Sequence, residues 1–291
     1  MTSGPTLPLA PPRRRPAPLL ARVLRTQRLT PHLVRVVLGG PGMAPFGSPE
    51  HADSYVKLGF APAGPRPLGA DGRVDVEALR AALPEGAQVR QRAYTVRAWD
   101  AAALELTLDL VVHGDEGLAG PWSVAARPGD EVLVYGPGGA WSPDPGVDAH
   151  LLAGDASALP AIAVGLERLP RDAVGLAVVE VHGPADELVL DAPAGVRVLW
   201  VHQGDAAPGA GLVAAVRAWP WPGGRVGAFV HGEAGAVKDL RGYLRTERQV
   251  ARADLSISGY WRLGVDDEGW RRTKRDWAQQ IEDAEQAAGL D

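Results

Sequence analysis

Arg92-Ala93-Tyr94-Thr95-Val96-Arg97 reads as an extended stretch in which side chains alternate faces, so Arg92, Tyr94 and Val96 point one way and Thr95 and Arg97 the other. One face thus offers a guanidinium and an aromatic ring. Arginine forks onto phosphate oxygens, a tyrosine ring lies against a flat heterocycle, and a short hydroxyl or backbone amide meets a ring nitrogen. Those are the contacts a flavin nucleotide requires. Taken alone, the six residues also suit an edge strand with a solvated arginine pair and a half-buried tyrosine, so the flanking sequence decides.

On either side, short apolar or alternating runs at residues 21–24, 33–38, 55–60, 93–98, 104–112 and 131–135 are separated by turn residues, with a hairpin suggested across Trp99-Asp100-Ala101. Strands this short and this closely spaced predict a small antiparallel barrel. Residues 74–83 have helical spacing inside a polar insertion that starts at Pro62. Beyond the Gly/Pro-rich link 136–146 the texture changes to strands at 150–153, 176–181, 196–201, 226–231 and 254–260, alternating with helices at 159–169, 211–218 and 234–247. That alternation predicts a parallel sheet with covering helices. A last helix, 266–288, carries Trp270 and Trp277 seven residues apart on one face, which suits docking. The expected organisation is a disordered Pro/Arg-rich tail (1–18), a flavin-binding β-barrel (19–146), an α/β nucleotide-binding domain (147–264) and a C-terminal helix (265–291).

A length of 291 residues suits two domains. With 46% hydrophobic and 22% charged residues, the composition is that of a globular protein. A net charge of −5 argues against a nucleic-acid partner. The chain has no cysteine, which excludes disulfides, thiolate metal sites and a cysteine nucleophile, so redox chemistry needs a bound cofactor. No run approaches the roughly 20 apolar residues of a membrane span. The basic, proline-rich N-terminus has no apolar core or cleavage site of a signal peptide, so a cytoplasmic location without membrane insertion is expected.

Two kinds of turn could hold phosphates. HGDEGLAGPWS, residues 113–123, is a glycine-rich turn entering a short helix, with Pro121 suited to the first turn. Alone it is an ordinary connection; beside Arg92 it would put amides and a guanidinium on one pyrophosphate. In the second half, GDASALPAI (154–162) and HGEAG (231–235) each follow a strand, at the edge where open α/β sheets bind ligands. Neither GxGxxG nor a GxxxxGK[ST] loop is present.

In this order, RAYTVR, VVHGDEGLAGPWS, ARPGDEV, GDASALPAI, HGEAGAVKDLR and SGYWRLG resemble the siderophore-interacting proteins, flavin-dependent ferric-siderophore reductases of the ferredoxin reductase superfamily, over about residues 20–277. The resemblance implies FAD held by Arg92, Tyr94, Thr95 and Val96, with His113, Gly117, Ala119, Gly120, Trp122 and Ser123 around its pyrophosphate. Gly120 stands where relatives often carry Ser or Thr, and Pro121 has no amide to donate. It further implies that Asp155, Ser157, Ala158, Gly232, Glu233 and Ala234 border the nicotinamide site, and that hydride passes from NADPH or NADH to flavin N5. Lys57 and Arg262 are the candidate cations for an anionic ferric siderophore, with Leu263 where many relatives have a second basic residue. Trp261 is a candidate shield for the flavin, or a core residue.

Iron enters as substrate. One-electron reduction of Fe(III) lowers its affinity for oxygen donors, so reduction is release, and the protein itself needs no metal ligands. The seven histidines are scattered, and no side chain is assigned as a general acid or base. The loop after Val201, His202-Gln203-Gly204-Asp205, has no permanent positive charge for the 2′-phosphate of NADPH, so the choice of nicotinamide stays open. A monomer is expected. Two other readings remain: a flavin reductase with a quinone or protein acceptor, and a siderophore-binding module that has lost FAD.

Overall fold

The computed structural model describes residues 16–114 and 117–290. Most of the Pro/Arg-rich tail, together with Asp115 and Glu116 of the glycine-rich turn, lies outside the described residues. The first half is a closed barrel of β1 (Leu19–Thr30), β2 (Leu33–Gly39), β3 (Tyr55–Phe60), β4 (Arg90–Asp100), β5 (Glu105–Val111) and β6 (Glu131–Gly138), in the order β1-β2-β5-β4-β3-β6. Every neighbouring pair is antiparallel. Alternate residues fill the interior: Leu19, Ala21 and Val23 on β1, Val34, Val36 and Leu38 on β2, and Leu106, Leu108 and Leu110 on β5. The period of two that marks these runs in the sequence is this inward face. The insertion after β3 carries one short helix, α1 (Val76–Ala82), and the glycine-rich turn leads into α2 (Ala119–Ala125).

The second half is a five-stranded parallel sheet of β7 (Ala149–Asp155), β8 (Val174–Val181), β9 (Gly195–His202), β10 (Val226–Glu233) and β11 (Leu255–Trp261), ordered β11-β10-β7-β8-β9. Its connections carry α3 (Leu159–Arg168), α4 (Ala210–Ala218) and α5 (Ala234–Gly242). Every residue of the central strand β7 is buried, as covering on both faces demands. The helix read at 234–247 in fact relaxes into a π-helical turn, Tyr243–Glu247, before β11. Last comes α6 (Asp267–Ala287), where Trp270 and Trp277 meet edge-on with ring centres 5.3 Å apart.

The two halves share apolar packing. Leu33 at the start of β2 belongs to the cluster built on Leu152, Leu159, Ile162 and Phe229, and Leu29 and Val111 pack against it. The β1–β2 turn and the end of β5 are thereby set against the second sheet, and a cleft between barrel and sheet has fixed walls.

Gly154 allows the close approach of β7, β10 and α3 beside that cleft. A Cβ there would lie 2.5 Å from the His231 carbonyl oxygen and 2.6 Å from Ala158 Cβ, and neither neighbour is a flexible side-chain tip. Gly154→Ala is therefore expected to cost about 1–3 kcal/mol by overpacking, read as a lower urea midpoint with unchanged slope.

Candidate functional site

The strand order reverses between β7 and β10, and their carboxyl ends flank the crevice where open α/β sheets bind ligands. Asp155 closes β7 there. Its Oδ1 accepts from the Ser157 amide at 2.9 Å and the Ser157 hydroxyl at 2.5 Å. Its Oδ2 accepts from the Glu233 amide and the Trp261 indole, both at 2.8 Å. One buried carboxylate thus holds the turn after β7 and the ends of β10 and β11. Gly232 permits this contact: its φ is +145°, and a Cβ would stand 2.6 Å from Asp155 Oδ2. Glu233 caps α5, accepting from the Gly235 and Ala236 amides at 2.5 and 3.0 Å.

In front of this node lies a cavity of about 1230 Å³, walled by the barrel, the sheet and α6. A site for one small ligand occupies roughly 300–1,000 Å³, so two cofactor-sized groups can meet here. Gln91, Arg92, Ala93, Tyr94 and Thr95 all line it. Strict alternation therefore fails as a description of this strand, for a reason visible in the pairing. β5 pairs with β4 only from Val96 onward, a bulge falls between Val96 and Ala98, and the edge of residues 90–95 is left toward the cavity. Val96 turns into the barrel core, and Arg97 leaves the site to pair with Glu167 on α3. Burial pushes the Tyr94 phenol above its ordinary value, so the ring enters the cavity uncharged.

Arg92 departs most from the sequence reading. Its guanidinium forks onto Glu268, Nη1 to Oε1 at 2.7 Å and Nη2 to Oε2 at 2.9 Å, and Nη1 also reaches Asp267 Oδ2 at 3.1 Å. Arg271 of the same helix donates to the Gln91 carbonyl oxygen at 3.0 Å. The Arg92 hydrogen bond holds Glu268 below the usual carboxylate range. Asp267 moves the other way, because burial outweighs the same guanidinium. The first turn of α6 thus closes over β4, seated by the buried Trp270. The sequence marks a terminal helix, but the partner of its Glu268 lies 176 residues away.

Other expected residues divide clearly. Lys57, His113, Ser157 and Trp261 line the cavity with Arg92, Tyr94, Thr95 and Asp155. Gly117, Ala119, Gly120, Trp122 and Ser123 do not. Ala119 and Trp122 pack on the barrel core, Trp122 edge-on to Phe60 at 5.3 Å, and Ser123 Oγ donates to the Gly120 carbonyl oxygen at 2.8 Å. Ala158 is buried among apolar residues of the second domain. Glu233 and Ala234 stand behind the Asp155 node, and Arg262 is exposed outside the cavity lining beside the exposed Leu263.

His231 lines the cavity but stacks on Phe229 at 4.0 Å, and burial pushes it down to about 3, so it stays neutral in the working range and acts as no acid. Among the described residues, His231 Nδ1 and Trp270 Nε1 are buried without a hydrogen-bond partner, and both side chains line the cavity. An uncharged ring face on Tyr94, Thr95 beside it in the same wall, and ample volume fit a flavin. The fork of Arg92, already held by carboxylates, is the one element that must be shared.

Comparison with known proteins bears on this cavity. The sequence profile of the siderophore-interacting FAD-binding domain matches residues 22–141, and that of the siderophore-interacting protein matches residues 147–264. An uncharacterized protein of Mycobacterium tuberculosis is 46% identical over 274 residues, covering 88% of this chain and 94% of the relative. The ferric vibriobactin reductase ViuB of Vibrio cholerae is 32% identical over 265 residues, covering 88% and 94%. The crystal structure of a siderophore utilization protein from T. fusca superimposes with a TM-score of 0.71 at 38% identity, covering 86% of this chain and 94% of that one.

Arg92→Ala is expected to lower stability near neutral pH by about 1 kcal/mol, a modest figure because Glu268 is 37% exposed and water screens the pair. The Glu268 carboxylate is held low in the fold, so its contribution is present above the unfolded carboxylate range and disappears as pH falls through the folded value. The gap between variant and parent in urea midpoints should accordingly close on acidification.

Proposed function

The chain belongs to the siderophore-interacting protein family, and we propose that it is a ferric-siderophore reductase that draws electrons from NADPH or NADH through FAD and releases Fe(II) in the cytoplasm. One observation carries this reading. Tyr94 and Thr95 of the barrel and the Asp155–Ser157 turn of the second domain open into a single cavity, so a flavin site and a donor crevice are one space.

The bound flavin supplies the conversion of a two-electron donor into single electrons for iron. The chain's own residues do the rest. Tyr94 offers an uncharged ring face, and Thr95, buried beside it, offers a hydroxyl and an amide within the strand. Asp155 keeps Ser157 and Trp261 in fixed places at the crevice, so the donor meets a rigid wall, which orientation-dependent transfer requires. Lys57 in the cavity and Arg262 at the exposed surface supply positive charge for an oxygen-rich, anionic ferric chelate. No proton transfer is assigned to His231, which burial keeps neutral. Iron passes as substrate, its hold on hard oxygen donors weakened by the lost charge.

In this reading FAD phosphate and the acidic turn of α6 compete for Arg92. Glu268→Gln should leave the fork freer and tighten FAD by about fivefold, roughly 1 kcal/mol, measured by quenching of flavin fluorescence. Anaerobic NADPH or NADH should bleach the flavin bands of the purified protein, and a ferric siderophore should restore them. Protein that stays colourless with added FAD would instead be a binding module, and bands that bleach but ignore ferric chelates would point to another acceptor.

A further inference from the structure

Besides His231, three histidines line the cavity, and one of them, His113, is a residue that the resemblance sets beside the FAD pyrophosphate. His32 lies in the β1–β2 turn, His113 follows β5 and His182 follows β8, and all three line the cavity. The rings of His32 and His182 stand 4.7 Å apart. Burial disfavours the charged form of His113, Asp155 favours it, and His32 and His182, close enough to act on it, disfavour it again. Asp186 accepts from the His32 amide at 3.1 Å and bonds its Nδ1 at 2.8 Å, which leaves Nε2 for another partner.

His182 stands in the second domain's crevice, where the Gln203 amide donates to the Val181 carbonyl oxygen at 2.9 Å and the Gly204 amide to that of His182 at 3.2 Å, and Gln203 and Pro208 line the cavity too. The lysines and arginines of the cavity, Lys57, Arg92, Arg271 and Lys274, stand on β3, β4 and α6. The start of α4, which could have offered amides to a phosphate, is already taken. Glu180 Oε1 accepts from the Gly209 amide at 2.6 Å and Oε2 from the Leu212 amide at 3.0 Å. The carboxylates around the histidines are likewise engaged: Asp186 by His32, Glu180 by α4, Asp155 by Ser157 and Trp261, and Asp109 by Arg35 at 2.7 and 2.8 Å. Nor are the three imidazoles part of a group suited to a metal ion among the described residues.

Imidazoles brought this close repel one another when charged, and an anion set between them removes that repulsion. We infer that His32, His113 and His182 seat a phosphate group of the nicotinamide dinucleotide donor, and that the phosphate binds together with a proton. The inference rests on the donor assigned above.

The test is calorimetric titration of the FAD-loaded protein with NADP⁺ and with NAD⁺, at about pH 6 and about pH 8, in buffers of different ionisation enthalpy. The expected result is proton uptake on binding and affinity about tenfold weaker at the higher pH, where the proton that accompanies the phosphate is scarcer. His182→Asn and His32→Asn should flatten that profile while retaining the flavin bands. Dependence for both nucleotides places the pyrophosphate in the cluster, and dependence for NADP⁺ alone places the 2′-phosphate there; either supports the inference. Binding that is independent of pH and indifferent to both variants overturns it. So does loss of FAD from the variants with donor affinity intact, which would give the cluster to the flavin phosphates. Failure of the donor reading itself looks different: neither nucleotide binds at either pH, and neither NADPH nor NADH bleaches the flavin.

Discussion

The Asp155 carboxylate is the contact on which the rest of this site depends. It lies at the one place in the sheet where strand order reverses, and its hydrogen bonds tie three strand ends that are remote in sequence. A buried carboxylate without donors would be costly, so its four partners form one satisfied set. The Ser157 turn, the Glu233 cap on α5 and the Trp261 indole all take their positions from it. The crevice is thereby shaped before any ligand arrives.

Two further constraints complete the cavity. Leu29, Leu33 and Val111 carry the apolar core of the sheet across to the barrel, so the angle between the halves is set by packing. Opposite them, α6 returns over β4 through Arg92, Glu268 and Trp270. Arg92 and Arg271 stand near the acids of α6, while His32, His113 and His182 line the cavity with the engaged carboxylates Asp155, Glu180 and Asp186.

Much of the architecture was legible. All six barrel strands follow from runs of alternating residues, and the five parallel strands follow from apolar runs separated by helical segments. The site was legible in part. The sequence placed Arg92, Tyr94 and Thr95 together because they are neighbours in one strand, and it placed Asp155 and Ser157 at a strand end. It missed the neutralisation of Arg92 by α6 and the meeting of His32, His113 and His182. It set the α2 residues around a pyrophosphate, and in the fold the side chains of Ala119 and Trp122 pack on the barrel core while Ser123 Oγ bonds within its own helix.

What sequence alone determined are the quantities that depend on neighbours along the chain: strand and helix periods, turn chemistry, the exclusion of thiol chemistry by the absence of cysteine, and the motif order that marks the family. What tertiary structure decided are the partners of charged groups. Arg92 and Glu268 are 176 residues apart, and His32 and Asp186 are 154 apart. No local pattern encodes such pairings. They follow from how two sheets and a terminal helix must pack to bury their apolar faces, and the charges meet where that packing leaves them.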